Sequence, residues 1–292
     1  PSSRHVPSSA RWPDFRKLDK LIGTDCLRKA SLFSTSAPYG QRAIIMDPRM
    51  RTNRDHWDEL VGIHVKSRAP EGYDVEGFKQ GRSALQSVEI EEVGDVKGKS
   101  LLHLQCHFGL DTLSWARLGA HVTGVDFSER GIEQARALAA ELGMSARFIL
   151  SNLYDLPQVL EEEFGIVFTS YGVVNWLPDL RAWAQTIARF LRPGGFFYVI
   201  DAHPFARVFY AEPDATDLRV WLSYWGGTEP RRWEGDGSYA DKGARLRNRV
   251  TFEWQHTLGE IVTSLTDAGL RIEFLHEFPF CAWEIFPFTV RG

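Results

Sequence analysis

Two stretches determine the predicted fold of this chain: LLHLQCHFG at residues 101–109 and HVTGVD at residues 121–126. In each, a mostly apolar run leads directly into polar or acidic residues. Short apolar runs of this kind are typical of strands that are buried on both faces of a parallel sheet. We therefore predict strands at 100–104 and 120–125. The segment between them predicts a helix from about Asp111 to Leu118 that ends at Gly119.

The same alternation of strands and helices continues along the chain. After Ser128, a plausible N-cap, four apolar residues recur at helical spacing before Gly143: Ile132, Ala135, Ala139 and Leu142. Further helices are predicted at 178–191, with Pro178 in the first turn, and at 258–268. Further strands are predicted at 146–150, 166–170, 196–200 and 270–274. This order predicts a doubly wound α/β domain with a mostly parallel sheet and helices on both faces.

The composition argues against several classes of protein. The 292 residues carry a formal net charge of −4, so no basic field favours a nucleic acid partner. The three cysteines, Cys26, Cys106 and Cys281, form no C-x-x-C pair and predict neither a disulfide framework nor a zinc site. No apolar run approaches the ~20 residues of a membrane helix. We expect a cytoplasmic protein that binds neither membrane nor nucleic acid.

The segments outside the alternating region have different compositions. Residues 1–45 carry eight Lys or Arg against three Asp and are rich in serine. They predict a disordered extension, or sequence upstream of a start at Met46; a mitochondrial presequence is the alternative. Residues 46–98 are expected to form a helical segment, and residues 99–292 the core. Within the core, residues 203–249 break the rhythm and predict an insertion after the fifth strand.

The carboxyl ends of the parallel strands are where we expect a ligand, because open α/β sheets bind ligands there. Asp126 ends the second predicted strand. A carboxylate in that place can accept hydrogen bonds from both hydroxyls of a ribose. The helix that starts after Gly109 directs its unpaired N–H groups at the same edge.

The stretch from Leu101 to His203 resembles the class I S-adenosylmethionine (SAM)-dependent methyltransferases. Their first motif is typically apolar-apolar-Asp/Glu-apolar-Gly-x-Gly-x-Gly. In this chain His103 takes the position of the acid, Gln105 and His107 take those of the first two glycines, and Gly109 takes that of the third. Asp126 matches the ribose-binding acid of the family. The segment Leu191-Arg192-Pro193-Gly194-Gly195 matches the family's L-x-P-G-G turn.

The resemblance implies a SAM site at the strand ends. Asn152 matches the position where the family usually has an Asp facing the adenine amine, and Leu153 that of a residue beside the ring. The implied cofactor contacts are Gln105, His107, Gly109, Asp126, Phe127, Asn152, Leu153 and Ser170. In similar enzymes an N-terminal helix often closes over SAM, which suggests that Tyr73, next to Asp74, covers the methionine end.

Two departures leave other functions open. Without glycine at 105 and 107, the chain is alternatively a SAM-binding partner that transfers nothing. A nucleotide-dependent oxidoreductase is the weaker alternative, because the G-x-G-x-x-G pattern is absent. His103, Cys106 and His107 do not converge on one ion along a strand, so we expect no metal site.

The methyl acceptor is expected to be a small molecule. The 203–249 insertion carries eight basic and seven acidic residues, which offers no field for a nucleic acid backbone. Its aromatic residues either pack a small core of a lid or line an apolar pocket. The candidate pocket residues are Tyr171, Asn175, His203, Tyr210, Trp225 and His256. No catalytic base is assigned, since many such enzymes need none.

The end of the sequence does not predict the strand that usually completes this fold. In the family the last strand is inserted into the sheet, where each backbone N–H is needed. Pro279 and Pro287 interrupt the only segment that could supply it. We therefore expect this strand to be missing or rudimentary, as in a truncated chain.

Overall fold

The structure, a computed structural model, describes residues 46–67, 73–211, 214–281 and 285–288. The extension predicted at residues 1–45 lies outside these ranges.

A sheet of five parallel strands forms the centre of the fold. The strands are β1 (Ser100–Leu104), β2 (His121–Asp126), β3 (Arg147–Leu150), β4 (Phe164–Ser170) and β5 (Leu191–Ile200). Their spatial order is β3-β2-β1-β4-β5, and every pairing is parallel. The order reverses between β1 and β4, which makes the carboxyl ends of these two strands the place for a ligand. The predicted doubly wound α/β class is confirmed.

Seven α-helices are found in the described part of the chain. They are α1 (Pro48–His64), α2 (Val75–Lys79), α3 (Ser87–Val93), α4 (Leu110–Arg117), α5 (Glu129–Glu141), α6 (Leu180–Phe190) and α7 (Leu258–Asp267). Helices α3, α4 and α5 pack on one face of the sheet, while α6 and α7 pack on the other.

Alternation along β1 assigns its residues to the two faces. Leu101 packs with Trp115 of α4, whereas Leu102 packs with Trp183 of α6. Both tryptophans have an exposed fraction of 0%. Because both faces of β1 are covered, an apolar residue is needed at nearly every position of this strand.

The caps fix where the helices begin. The Ser128 hydroxyl accepts a hydrogen bond from the Gly131 N–H at 2.9 Å, as predicted for the N-cap of α5. Helix α6 begins at Leu180 behind an Asp179 cap, so the prediction of Pro178 in its first turn is wrong. The residues after Leu191 form a bulge in β5, because pairing with β4 skips from Leu191 to Phe196.

The region around the insertion contains a hairpin that the sequence did not predict. Strand β6 (Arg231–Glu234) pairs in antiparallel fashion with β7 (Val250–Glu253). The amide of Asn53 in α1 exchanges two hydrogen bonds with the backbone of Phe252, at 2.7 and 2.8 Å. The hairpin is therefore attached to the N-terminal helix.

The strand predicted at 270–274 is wrong. These residues follow α7 without any ladder partner, and Ile272 and Phe274 are exposed. A strand requires a neighbour to pair its backbone groups, and β5 makes no second pairing within the described ranges. Among residues 277–281 and 285–288, none is in a strand.

The buried Trp183 yields a test of the packing. We expect Trp183→Ala to lower the free energy of unfolding by about 3–5 kcal/mol, because it leaves a cavity between α6 and the sheet. Trp225→Ala serves as the matched control. Its side chain is 75% exposed, and its removal should change stability by less than about 0.5 kcal/mol. Urea unfolding measures both, and equal losses would contradict the assignment of the core.

Candidate cofactor and acceptor site

Asp126 lies at the end of β2 with its carboxylate held by backbone N–H groups. One oxygen accepts from the His107 N–H at 2.8 Å and the other from the Ser128 N–H at 2.9 Å. The residue is 8% exposed, and this burial raises the pKa of the carboxyl to about 6. Each carboxylate oxygen can accept more than one hydrogen bond, so both retain acceptor capacity for a ligand.

The loop after β1 keeps the backbone shape of a glycine loop although two of its glycines are replaced. Gln105 and His107 have φ angles of +58° and +51°, and Gly109 has +83°. Side chains other than glycine pay roughly 1–2 kcal/mol for this left-handed region. The bond from His107 to Asp126 and a bond from Gly109 N–H to Cys106 O at 2.9 Å help to hold the loop in that shape.

The two substituted side chains point to different neighbours. The Gln105 amide donates to the Val173 carbonyl at 3.3 Å, and its Oε1 is buried without a partner in the described part of the chain. The His107 ring meets His64 of α1, with 2.9 Å between His107 Nε2 and His64 Nδ1. Gln105 therefore reaches the loop after β4, while His107 contacts the N-terminal helix.

The end of β3 offers a polar group that the protein leaves unused. Asn152 is buried, and its Oδ1 accepts from the Tyr154 N–H at 3.3 Å. Its Nδ2 is buried with no partner among the described residues. Leu153, the next residue, is buried. Phe127, which directly follows β2, is half-buried. An unpaired buried amide is costly, which favours a ligand atom as its partner.

Five side chains form an aromatic cluster against the loop: Trp57, His64, Tyr73, His107 and Tyr239. The Trp57 ring lies 5.4 Å from His107, centroid to centroid, and Tyr73 lies at the same distance. The Tyr73 and Tyr239 hydroxyls are 2.6 Å apart, and His64 Nε2 lies 3.2 Å from the Ser238 hydroxyl. Helix α1 and the 203–249 insertion thus meet over the β1 loop.

Two hydrogen bonds to Asp58 fix the position of α1. Asp58 of α1 accepts from the Ser128 hydroxyl and from the Arg130 N–H at 3.2 Å. This places Trp57, the preceding residue, next to the loop. Sequence reasoning missed Trp57 and His64, although their spacing of seven residues puts them on one face of a helix.

Burial keeps the two histidines of the aromatic cluster neutral. It lowers the pKa of His64 to about 4 and holds the pKa of His107 well below its ordinary value. At neutral pH each imidazole therefore carries one ring proton, with one ring nitrogen as donor and the other as acceptor.

The loop after β4 is shaped by Asp201, which sequence analysis also missed. The Asp201 carboxylate accepts three consecutive backbone N–H groups, from Gly172 at 2.6 Å, Val173 at 3.0 Å and Val174 at 3.1 Å. These bonds fix the loop that carries Tyr171 and Asn175. An acid just after β5 is the only local signal, and it does not by itself predict such a contact.

Four of the six predicted pocket residues lie together, and two do not. Tyr171, Asn175, His203 and His256 line a wide cleft of about 2550 Å³ beside β5. Trp225 is largely exposed, and Tyr210 donates its hydroxyl to Asp214 at 2.8 Å, away from that cleft. Within the insertion, Tyr239 contacts Tyr73 and His64 beside the β1 loop, and sequence analysis did not select it.

The described ranges contain no group of three or more His, Cys, Asp or Glu side chains placed to hold a metal ion. No helix within them is both long and apolar enough to cross a membrane.

Comparisons with known proteins agree with this geometry. Residues 101–195 match a family described as a methyltransferase domain. The ubiquinone biosynthesis O-methyltransferase of Hahella chejuensis is 32% identical over 117 residues, which are 39% of this chain and 49% of the relative. That of Pseudomonas syringae pv. tomato is 30% identical over 122 residues, 41% and 52% of the two chains. The chain thus spans about half the length of these curated relatives.

Two solved structures share the fold. A SAM-dependent methyltransferase from Mesorhizobium loti has a TM-score of 0.50 and 23% identity, over 68% of this chain and 86% of that one. The CcbJ methyltransferase from Streptomyces caelestis has a TM-score of 0.51 and 17% identity, over 74% and 87%. Residues 101–195 are therefore similar to a methyltransferase domain, and the two structures show the same fold.

The left-handed backbone at Gln105 yields a test that needs no ligand. We expect Gln105→Gly to be more stable than Gln105→Ala by about 1 kcal/mol, because only glycine adopts a φ of +58° at no cost. At the exposed helical position Glu133 the order should reverse, with the glycine variant about 1 kcal/mol less stable than the alanine variant. Chemical denaturation measures all four; the same order at both positions would refute the loop conformation.

Proposed function

We propose that this chain transfers the methyl group of SAM to a small-molecule acceptor. The observation that carries the proposal is the buried Asp126 carboxylate, tied to a glycine-like loop at the switch point of a parallel sheet. When bound, SAM supplies a methyl group already activated by its sulfonium. The protein must then orient the acceptor, exclude water and allow a proton to leave.

The residues at the strand ends fit the parts of SAM. Asp126 would accept both ribose hydroxyls through lone pairs that its two backbone bonds leave available. Asn152 would face the adenine edge with its unpaired Nδ2, and Leu153 and Phe127 would lie against the ring. The loop from Gln105 to Gly109 would run beside the methionyl part, as the resemblance implies. Ser170, the remaining expected contact, donates its hydroxyl to Asp111 at 2.8 Å and retains acceptor capacity.

The small-molecule class of the acceptor is supported by the surroundings of the loop. The aromatic cluster offers apolar surface and two neutral imidazoles, whose ring nitrogens can form hydrogen bonds with the hydroxyl or amine of a small acceptor. The insertion has nearly balanced charges, which disfavours a nucleic acid. The curated relatives carry names of O-methyltransferases, which supports an oxygen acceptor as the first to examine.

The structure weakens the main reason for a non-catalytic alternative. That alternative rested on the loss of two glycines from the β1 loop. The positive φ angles at Gln105 and His107 preserve the backbone that those glycines would provide. An oxidoreductase is disfavoured by the loop sequence, which has no glycine at 105, 107 or 110.

The role of Asp126 is tested by binding. We expect Asp126→Ala to weaken S-adenosylhomocysteine by roughly 2–4 kcal/mol, because a charged acceptor of two hydrogen bonds is lost. The exposed Asp217→Asn is the matched control and should bind as the wild type does. Isothermal titration calorimetry measures both, and unchanged affinity in Asp126→Ala would remove the basis of the proposal.

The role of the insertion is tested by shortening the hairpin. Glu234 pairs directly with Val250, so Asn-Gly in place of residues 235–249 would close the same hairpin with a two-residue turn. This change removes Tyr239 from the aromatic cluster, together with Ser238, the partner of His64. We expect S-adenosylhomocysteine to bind within a few-fold of the wild type, while methyl transfer to phenols, catechols and amines falls by at least about 100-fold.

Wild-type transfer by the shortened protein would show that the insertion does not position the acceptor. A nucleic acid as the best acceptor of the wild type would contradict the proposed substrate class.

A further inference from the structure

A buried carboxyl group, Glu89 of α3, and a half-buried one, Asp111 of α4, meet the end of β4 next to the β1 loop, and we call them the acidic pair. One oxygen of Asp111 accepts from the Ser170 hydroxyl at 2.8 Å, and one oxygen of Glu89 accepts from the Tyr171 hydroxyl. Ser170 and Tyr171 are consecutive residues. The two carboxyl groups are therefore attached to one short segment at the ligand-binding edge of the sheet.

The acidic pair is not neutralised by the protein. The partners that act on either carboxyl within the described chain are hydroxyls, backbone groups and the other acid, and no lysine or arginine is among them. Desolvation raises the pKa of Glu89 to about 7 and that of Asp111 to about 6. Two desolvated carboxylates near each other are unfavourable, unless one of them takes up a proton or a cation binds between them.

Unpaired acceptor atoms occur on Glu89 and on Gln105, a side chain that contacts the loop after β4. Glu89 has an exposed fraction of 0%, and its Oε1 has no hydrogen-bond partner among the described residues. The Oε1 of Gln105 is also buried and unpartnered, and this side chain is anchored on Val173 of the same loop. If the acidic pair only tied α3 and α4 to β4, its hydroxyl bonds would suffice. The remaining acceptors point to a ligand that brings hydrogen-bond donors.

His103 removes the negative charge that the first motif normally contributes. Its Nδ1 lies 2.8 Å from the Thr112 hydroxyl, and the ring is buried. Burial lowers the pKa of His103 to about 3, so the side chain is neutral. The charge near the β1 loop comes instead from α3 and α4, which lie on either side of β1 in sequence.

We propose that Asp111 and Glu89 bind the α-ammonium of the methionyl part of SAM, in place of the acid that this chain lacks at position 103. The inference rests on the proposed function. An ammonium presents three N–H donors and one positive charge, which match the unpartnered acceptors and the missing cation. Charge-assisted hydrogen bonds of this type are about twice as strong as neutral ones.

Ligands that differ only in the amino acid part isolate this contact. S-adenosylhomocysteine carries the α-ammonium; its desamino analogue, adenosyl-thiobutyrate, keeps the carboxylate but lacks the ammonium; 5′-methylthioadenosine lacks both. With the wild-type chain, we expect calorimetry to give about tenfold weaker binding of the desamino analogue than of S-adenosylhomocysteine. This comparison needs no substitution and so does not depend on the folding of a variant.

Substitutions then locate the contact. We expect Asp111→Asn and Glu89→Gln each to weaken S-adenosylhomocysteine about tenfold and to leave 5′-methylthioadenosine unchanged. Glu91→Gln, an exposed carboxylate on the same helix as Glu89, is the matched control and should change neither affinity.

The binding results distinguish a failure of this inference from a failure of the proposed function. Equal wild-type affinity for S-adenosylhomocysteine and its desamino analogue would overturn the inference, as would wild-type binding by both Asp111→Asn and Glu89→Gln. Under either result the proposed function would stand, provided that Asp126→Ala still loses affinity. If the wild type binds neither S-adenosylhomocysteine nor 5′-methylthioadenosine, the proposed function itself fails and the inference fails with it.

Discussion

The rest of the site depends on the carboxylate of Asp126 and the two backbone N–H groups that it accepts. One bond, from His107, closes the loop after β1; the other, from Ser128, fixes the turn that leads into α5. A single buried side chain therefore sets the relative positions of two strand ends and one helix start. The bond from His107 also offsets part of the cost of placing a histidine in the left-handed region. The two oxygens are held in fixed directions before any ligand binds, which reduces the entropy cost of binding.

The covering elements are positioned through the same turn. Ser128 caps α5 and at the same time donates its hydroxyl to Asp58, which holds α1 above the β1 loop. The hairpin of β6 and β7 is attached to α1 through Asn53. The helix and the insertion thus approach the site as one connected cover, in which His64 and Tyr239 meet with ring centroids 4.8 Å apart. A substitution that displaces α1 is therefore expected to displace the insertion as well.

Local sequence patterns predicted the strands of the sheet, but they did not predict the contacts between α1 and the insertion that cover the site. Strands β1 to β5 and the Ser128 cap could be predicted because apolar runs and capping residues act over a few positions. The contact between His64 and Tyr239 joins residues 175 positions apart, and no local pattern encodes it. The strand predicted at 270–274 failed for a related reason, since an apolar run becomes a strand only where a neighbour exists. The positive φ angles of Gln105 and His107 were not predicted, because neither residue type indicates a left-handed backbone.

If the carboxylate of Asp126 and the β1 loop are preformed for the ligand, a crystal structure with S-adenosylhomocysteine bound will show them unchanged. We expect both ribose hydroxyls within about 3 Å of the Asp126 oxygens, with the His107 N–H still bonded to that carboxylate and φ still positive at residues 105 and 107. A ribose bound away from Asp126, or a β1 loop that abandons the left-handed conformation to admit the ligand, would contradict this expectation.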